Sequence, residues 1–266
     1  MADIHEYEGY KFSKGSVAKV TDPLSVESPL QITINEESFT VVMQTPGNEK
    51  ELAVGLLYAE HVIQDYSKAQ WAFEKDENGV INNVQITIDK DHLGDGYLSS
   101  RSLLSVSSCG ICGKKELGEL LPKEEALKQK TAISIEDLLL MFREMRKQQR
   151  AFNITGGCHG IAAFNVQGEL LAIHEDIGRH NALDKVVGSL IISDQLKDAK
   201  IVTFSGRTSY EMVSKAFRAK IPIIAAVSAP SSLAIDFAKE FGLTLLGFTR
   251  DNKSTCYAGI ERIVAD

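Results

Sequence analysis

From residue 159 onward the chain alternates short apolar runs with amphipathic ones, and this rhythm constrains the fold more than any other feature. GIAAFNV and LLAIHED read as strands, RHNALDKVVGSLIIS as a helix, KIVTFS as a strand and TSYEMVSKAFRAK as a helix. IPIIAAVS, SLAIDFAKEF and LTLLGFT continue the alternation. Strands that are apolar throughout must be covered on both faces, which predicts a three-layer α/β domain from about residue 130 to 266. It opens with ISIEDLLLMFREMRKQQR, acidic early and basic late, a helix over 133–150. Thr208 with Glu211 predicts a capping box for a later helix.

The first part of the chain has a different texture. LQITIN and SFTVVM predict a hairpin over 30–43 that turns at Glu36 and Glu37. Asn48 as N-cap with Glu51 three residues on predicts a helix with Leu52, Leu56, Tyr58 and Val62 on its apolar face. WAFEKDENGVINNVQITID predicts two more strands joined at Asn78-Gly79. Residues 91–114, rich in glycine and serine, read as a loop in which RSLLSV could form a short strand. These readings divide the chain into a smaller β-rich, α+β piece over 1–110 and the α/β domain over 111–266.

Composition removes several function classes. A net charge of −7 argues against general nucleic-acid binding. No run reaches the ~18 apolar residues that span a bilayer. MADIHEYEGYKF lacks a basic segment followed by an apolar core, so the expected location is cytoplasmic. Four cysteines in 266 residues are too few for a disulfide scaffold, so a close pair points to catalysis or metal.

That pair is Cys109 and Cys112 in SVSSCGICGKK. It could supply half a zinc site, but Cys158 and Cys256 form no second pair. It could close a redox disulfide, but the serine approach and flanking glycines do not resemble a strand leading into a helix. It could carry sulfur, with Lys114 and Lys115 stabilising a thiolate or persulfide. Four other stretches bear polar chemistry. FNITGGCHG offers paired glycines and His159; HEDIGRHN offers Glu175, Asp176, Arg179 and His180 before a helix. An Asp176–Arg179 salt bridge is the structural alternative for the latter. TFSGRTSYE places Gly206 and Arg207 as a phosphate cradle without a P-loop lysine, and GFTRDNKSTCY puts Arg250 and Lys253 past the last apolar strand.

Together, TPGNEKELAVGLLYAEHVI, SSCGICGK, FNITGGCHGIAAF, EDIGRHNALDKVVG, SGRTSYEMVSKA and GFTRDNKSTCYAG resemble, in order, the formate dehydrogenase accessory sulfurtransferases, the FdhD/NarQ family. The resemblance implies a sulfur carrier acting as a sulfurtransferase. A cysteine desulfurase would load a persulfide on Cys109, with Cys112 as its partner in transfer or resolution. The sulfur would pass to the molybdenum cofactor in its bis-molybdopterin guanine dinucleotide form, for formate dehydrogenase. Phe248, Thr249, Arg250, Asp251, Asn252 and Lys253 match the family's cofactor-binding stretch, to which the cradle reading adds Gly206 and Arg207. The resemblance also implies a cytidine deaminase-like main domain and a homodimer. The deaminase zinc signature is missing, since a deaminase needs H-x-E followed by P-C-x-x-C, whereas here C-x-x-C precedes the α/β domain. The alternative is a non-catalytic chaperone that holds the cofactor for the dehydrogenase.

Overall fold

A computed structural model of the chain describes residues 3–99, 124–128 and 131–264. Cys109, Cys112, Lys114, Lys115 and the RSLLSV strand expected before them lie outside the described residues.

β1 (Ile4–Ser13) and β2 (Ser16–Ser25) form an antiparallel ribbon that pairs with no other sheet among the described residues. β3 (Ser28–Ile34), β4 (Glu37–Gln44), α1 (Glu49–Ala59), β5 (Gln70–Lys75) and β6 (Ile81–Thr87) follow. The four strands make a sheet in the order β4-β3-β6-β5. Along β3 Leu30, Ile32 and Ile34 are buried toward α1 while Gln31 and Thr33 face outward, the period-two pattern of a half-buried sheet. The β3–β4 turn falls on Asn35 and Glu36, both at positive φ, one residue earlier than the expected Glu36-Glu37. Asparagine tolerates that conformation, and Asn35 ties its side chain to both main-chain groups of Ile88.

The expected cap on α1 is absent. Asn48 sits in the left-handed region at φ 64°, where its side chain makes no cap bond, because capping needs an extended N-cap. Glu49 instead accepts the Gly47 N–H at 2.7 Å. Part of the expected 91–114 loop is helical, as α2 (Asp95–Ser99). There Gly96 backs onto the main chain of Glu60, with no room for a Cβ.

The remaining elements are β7 (Ile133–Ser134), α3 (Ile135–Gln148), α4 (Arg150–Thr155), β8 (His159–Phe164), β9 (Leu170–Asp176), α5 (Arg179–Ile192) and β10 (Ile201–Phe204). Then come α6 (Tyr210–Arg218), β11 (Ile223–Ala226), α7 (Ser232–Glu240), β12 (Thr244–Arg250), β13 (Lys253–Ala258) and β14 (Ile263–Val264). Six strands form a mixed sheet, β13-β12-β11-β10-β8-β9, whose central β10, β11 and β12 are parallel. One apolar core joins it to α5, α6 and α7, and a second, on the other face, joins it to α3. The molecule is thus a mixed α/β fold with helices on both faces of its larger sheet.

Ser134 caps α3 by accepting the Asp137 N–H at 3.0 Å. The Thr208–Glu211 box does not form, because α6 begins one residue late, with Ser209 at its N-cap. Thr208 is committed elsewhere, donating its N–H to Ala229 and accepting that of Ser231. The two halves of the molecule meet where α1 lies on α5. A Cβ on Gly55 would sit 1.9 Å from the Asp184 carbonyl oxygen, and one on Gly188 would sit 1.9 Å from that of Glu51. The helices therefore touch backbone to backbone.

Candidate functional site

The topology brings the sequence-selected stretches, apart from the cysteine pair, to one edge of the six-stranded sheet. His159 starts β8 opposite Asp176, which ends β9. The chain leaving β10 stays against β8: Ser205 donates its N–H to the Gly160 carbonyl and accepts the Gly160 N–H on its hydroxyl. Gly206 follows, and a Cβ there would lie 3.0 Å from the His159 ring, so a larger residue would push the imidazole a few tenths of an ångström from its seat. Thr208 then bridges to the loop after β11, and that loop accepts the Phe248 N–H through Ser228. Arg207 and the 248–253 stretch are separated by β11, so they stand about two strand spacings, ~10 Å, apart on the same edge.

The 248–253 stretch is distorted. Phe248, Asp251 and Asn252 all have positive φ, and the β12–β13 register shifts between Gly247 and Arg250. For a bulky residue such as Phe248 that conformation is strained, and such strain gathers at functional positions. Phe248, Arg250, Asp251, Asn252 and Lys253 are exposed. Thr249 points inward and bonds Ser254.

The acidic candidates are taken up by structure. Asp176, fully buried, accepts N–H bonds from Thr45, Gly178 and the Asn181 amide. Its ionic partner is Lys185 at 2.7 Å, which also reaches the Thr45 carbonyl, rather than Arg179, the partner in the structural alternative. Glu175 caps α4, accepting the N–H groups of Ala151 and Phe152 at 2.7 and 2.8 Å. His180 bonds Ser209 and Glu211, tying the start of α5 to that of α6. Burial, helped by Lys215, Arg179 and His159, pushes its pKa down to about 3, so a neutral ring donates its N–H to this pair. Lys185, Thr45 and Asn181 were not legible as part of this network, since a buried lysine in a helix reads like an exposed one.

The basic candidates are different. Burial, then Arg179, then Arg207 hold the His159 pKa below its usual value. Nε of Arg179 and Oγ1 of Thr208 are buried with no hydrogen-bond partner among the described residues. Arg207, Arg250 and Lys253 are exposed. An unsatisfied buried donor costs about 1–3 kcal/mol, which a bound acceptor would recover. In a chain of net charge −7, this edge gathers four cations suited to an anion carrying more than one charged group.

Neither described cysteine suits sulfur chemistry. Cys158 is buried between Ser25 and Thr45, and burial pushes its thiol pKa up. Cys256 bonds the Ala258 carbonyl, and burial raises its pKa as well. Among the described residues no three His, Cys, Asp or Glu side chains converge on a point that could hold a metal ion. No described helix is long and apolar enough to cross a membrane.

The FdhD/NarQ family model matches residues 25–264. The sulfur carrier protein FdhD of Sulfolobus acidocaldarius is 41% identical over 254 residues, covering 95% of this chain and 96% of that protein. The protein of the same name from Saccharolobus solfataricus is 43% identical over 265 residues, covering 98% of each. Among solved structures, a formate dehydrogenase accessory protein from Desulfotalea psychrophila superposes with a TM-score of 0.77 at 24% identity, over 98% of this chain and all of that one. At that identity the likeness is one of fold.

Proposed function

Because the chain belongs to the FdhD/NarQ family, we propose that it is a cytoplasmic sulfur carrier serving formate dehydrogenase, a sulfurtransferase that works through a persulfide on Cys109. The observation that carries this reading is the state of the other thiols. Cys158 and Cys256 are kept neutral by burial, so sulfur chemistry falls to Cys109 and Cys112.

In the loading step the Cys109 thiolate attacks the outer sulfur of a cysteine desulfurase persulfide. A new S–S bond forms on Cys109 and the desulfurase cysteine leaves as thiolate. In the delivery step the Cys112 thiolate attacks the inner sulfur of Cys109. Hydrosulfide leaves toward the acceptor, and the Cys109–Cys112 disulfide that remains is returned to two thiols by exchange with a dithiol reductant, which is itself oxidised, before the next loading. The acceptor is the molybdenum cofactor in its bis-molybdopterin guanine dinucleotide form, written here as substrate. Its phosphates suit the orphaned Arg179 and Thr208 atoms with Arg207, Arg250 and Lys253, and Phe248 presents a ring to a purine or pterin plane. The likeness of the six-stranded half to the cytidine deaminase fold belongs to the same proposal.

The test is incubation with a cysteine desulfurase and cysteine, read by intact-protein mass and by activation of formate dehydrogenase. Wild type and Cys112→Ala gain one sulfur atom and Cys109→Ala gains none. Equal loading and activation by Cys109→Ala would sink the reading.

One observation favours a second reading, a chaperone that binds the cofactor without chemistry. Asp176, Glu175 and His180 are all engaged in structural bonds, so the edge reads as a binding surface. That reading requires cysteine-free protein to activate the dehydrogenase while Arg207→Ala and Arg250→Ala abolish activation.

A further inference from the structure

The fold spends the chemistry of Asp176, Glu175 and His180, but not that of His159. This residue opens β8 half-buried, on the strand face that Ile161 turns to α5. Burial and fixed charges act on its ring, and no hydrogen bond among the described residues does. Two of those charges are cations, Arg179 at the start of α5 and Arg207 in the chain leaving β10. The carboxylate opposite it in the β8–β9 pair belongs to Asp176, whose charge is taken by Lys185 and by N–H bonds from Thr45, Gly178 and Asn181. His180, the other titratable group that faces it, is tied to Ser209 and Glu211 and stays neutral, its own pKa pushed down to about 3. The ring therefore stands beside two guanidinium groups with no described anion free to pair with it, and burial, Arg179 and Arg207 keep it neutral.

We propose that His159 is the proton-coupled ligand of this edge: as a phosphate group settles against Arg179 and Arg207, the ring takes one proton from solvent and the imidazolium donates to a phosphate oxygen. The anion cancels the field of both guanidinium groups and brings an opposite charge within hydrogen-bond reach. An opposite charge at such range favours the protonated ring by about ten- to hundred-fold. Binding and protonation are then linked, and each strengthens the other by the same factor. The sign follows from the two states of the ring. It loses its proton at lower pH in the free protein than in the complex. Affinity is therefore full at low pH and falls by that factor as pH rises through the value held in the complex. A site built from arginines alone would show no such fall, because guanidinium groups stay charged throughout. This role rests on the phosphate-binding part of the proposed function and is independent of sulfur transfer.

Calorimetry of guanosine diphosphate binding to the full chain, in pairs of buffers with unlike ionisation heats, counts the protons. At the pH of its largest uptake, wild type should bind roughly half to four-fifths of a proton per ligand more than His159→Gln. The ligand's own phosphate, which titrates at about pH 6, cancels in that difference. Proton NMR of the wild type gives a readout that needs no variant to fold. Among the six histidines, one ring should titrate below the usual 6.5 in the free protein and above it in the complex. His159→Gln keeps an amide donor, and its affinity should no longer fall with pH beyond the ligand's own contribution. Equal proton uptake by the two proteins, or histidine rings whose titrations all ignore the ligand, would overturn the inference while leaving the binding reading in place. No binding to the wild type at all would bring down both.

Discussion

Two sets of charged groups flank the first turns of α5, and the fold treats them oppositely. Asp176 and Lys185 are buried together with every neighbour accounted for, the carboxylate taking three N–H bonds and the ammonium a main-chain carbonyl. Arg179, three residues past Asp176, has its Nε buried with no acceptor among the described residues, beside a His159 kept neutral. Saturation marks a device that holds the fold, here pinning the start of α1 to the end of β9. Incompleteness marks a surface that awaits something.

The sharpest way to break this contrast is to halve the saturated pair. Lys185→Met leaves Asp176 buried without its counter-charge and should cost about 3–5 kcal/mol in urea unfolding. Asp176→Asn added to it should restore part of that loss; no restoration would mean that packing, not charge, is what Lys185 supplies. Acid should attack the same side. Burial, then Lys185, push the His174 pKa down to about 4. A folded value below the unfolded 6.5 means the unfolded chain binds more protons, so stability is full above about pH 6.5 and falls as pH drops toward 4. The loss from His174 alone is roughly 3 kcal/mol, and His174→Gln should flatten the slope of stability against pH.

The unsaturated side should respond in ligand binding rather than in lost stability. Arg179→Met, which removes the orphaned donor, should leave stability unchanged or raise it by up to about 1–3 kcal/mol while weakening guanosine diphosphate, a fragment of the proposed cofactor, about ten-fold in calorimetry. Arg207→Ala, already exposed, should leave stability within about 0.5 kcal/mol, with a similar or smaller loss of affinity. If either substitution destabilises the fold as Lys185→Met does, the division between the two sets is wrong.

The sequence was a good guide where periodicity carries the information. Leu170–Asp176 coincides with its expected span, and the helices and strands expected in the six-stranded half fall where their apolar runs put them, whereas α4 and the edge strand β13, both poor in apolar runs, were not expected. It was a poor guide where one residue type serves two ends. Glu175 and Asp176 look the same in a string whether they meet a ligand, cap a neighbouring helix or neutralise a buried lysine, and only tertiary placement decides. Asn48 and Thr208 have the composition of caps but not the backbone, since one is left-handed and the other is held by the loop after β11. The ribbon over residues 4–25 was illegible for a third reason. Its apolar residues face water, so no inward-outward alternation betrays it.

The crossing of α1 on α5 has a consequence for anyone rebuilding this molecule. Where Gly55 and Gly188 lie, the spacing of the helices is set by main-chain atoms, so side-chain redesign around them cannot retune it. A chimera that joins the four-stranded half of one relative to the six-stranded half of another therefore has a short compatibility requirement. A glycine on each side of the seam lets the halves mate; an alanine on either side props them apart, however well the rest is matched.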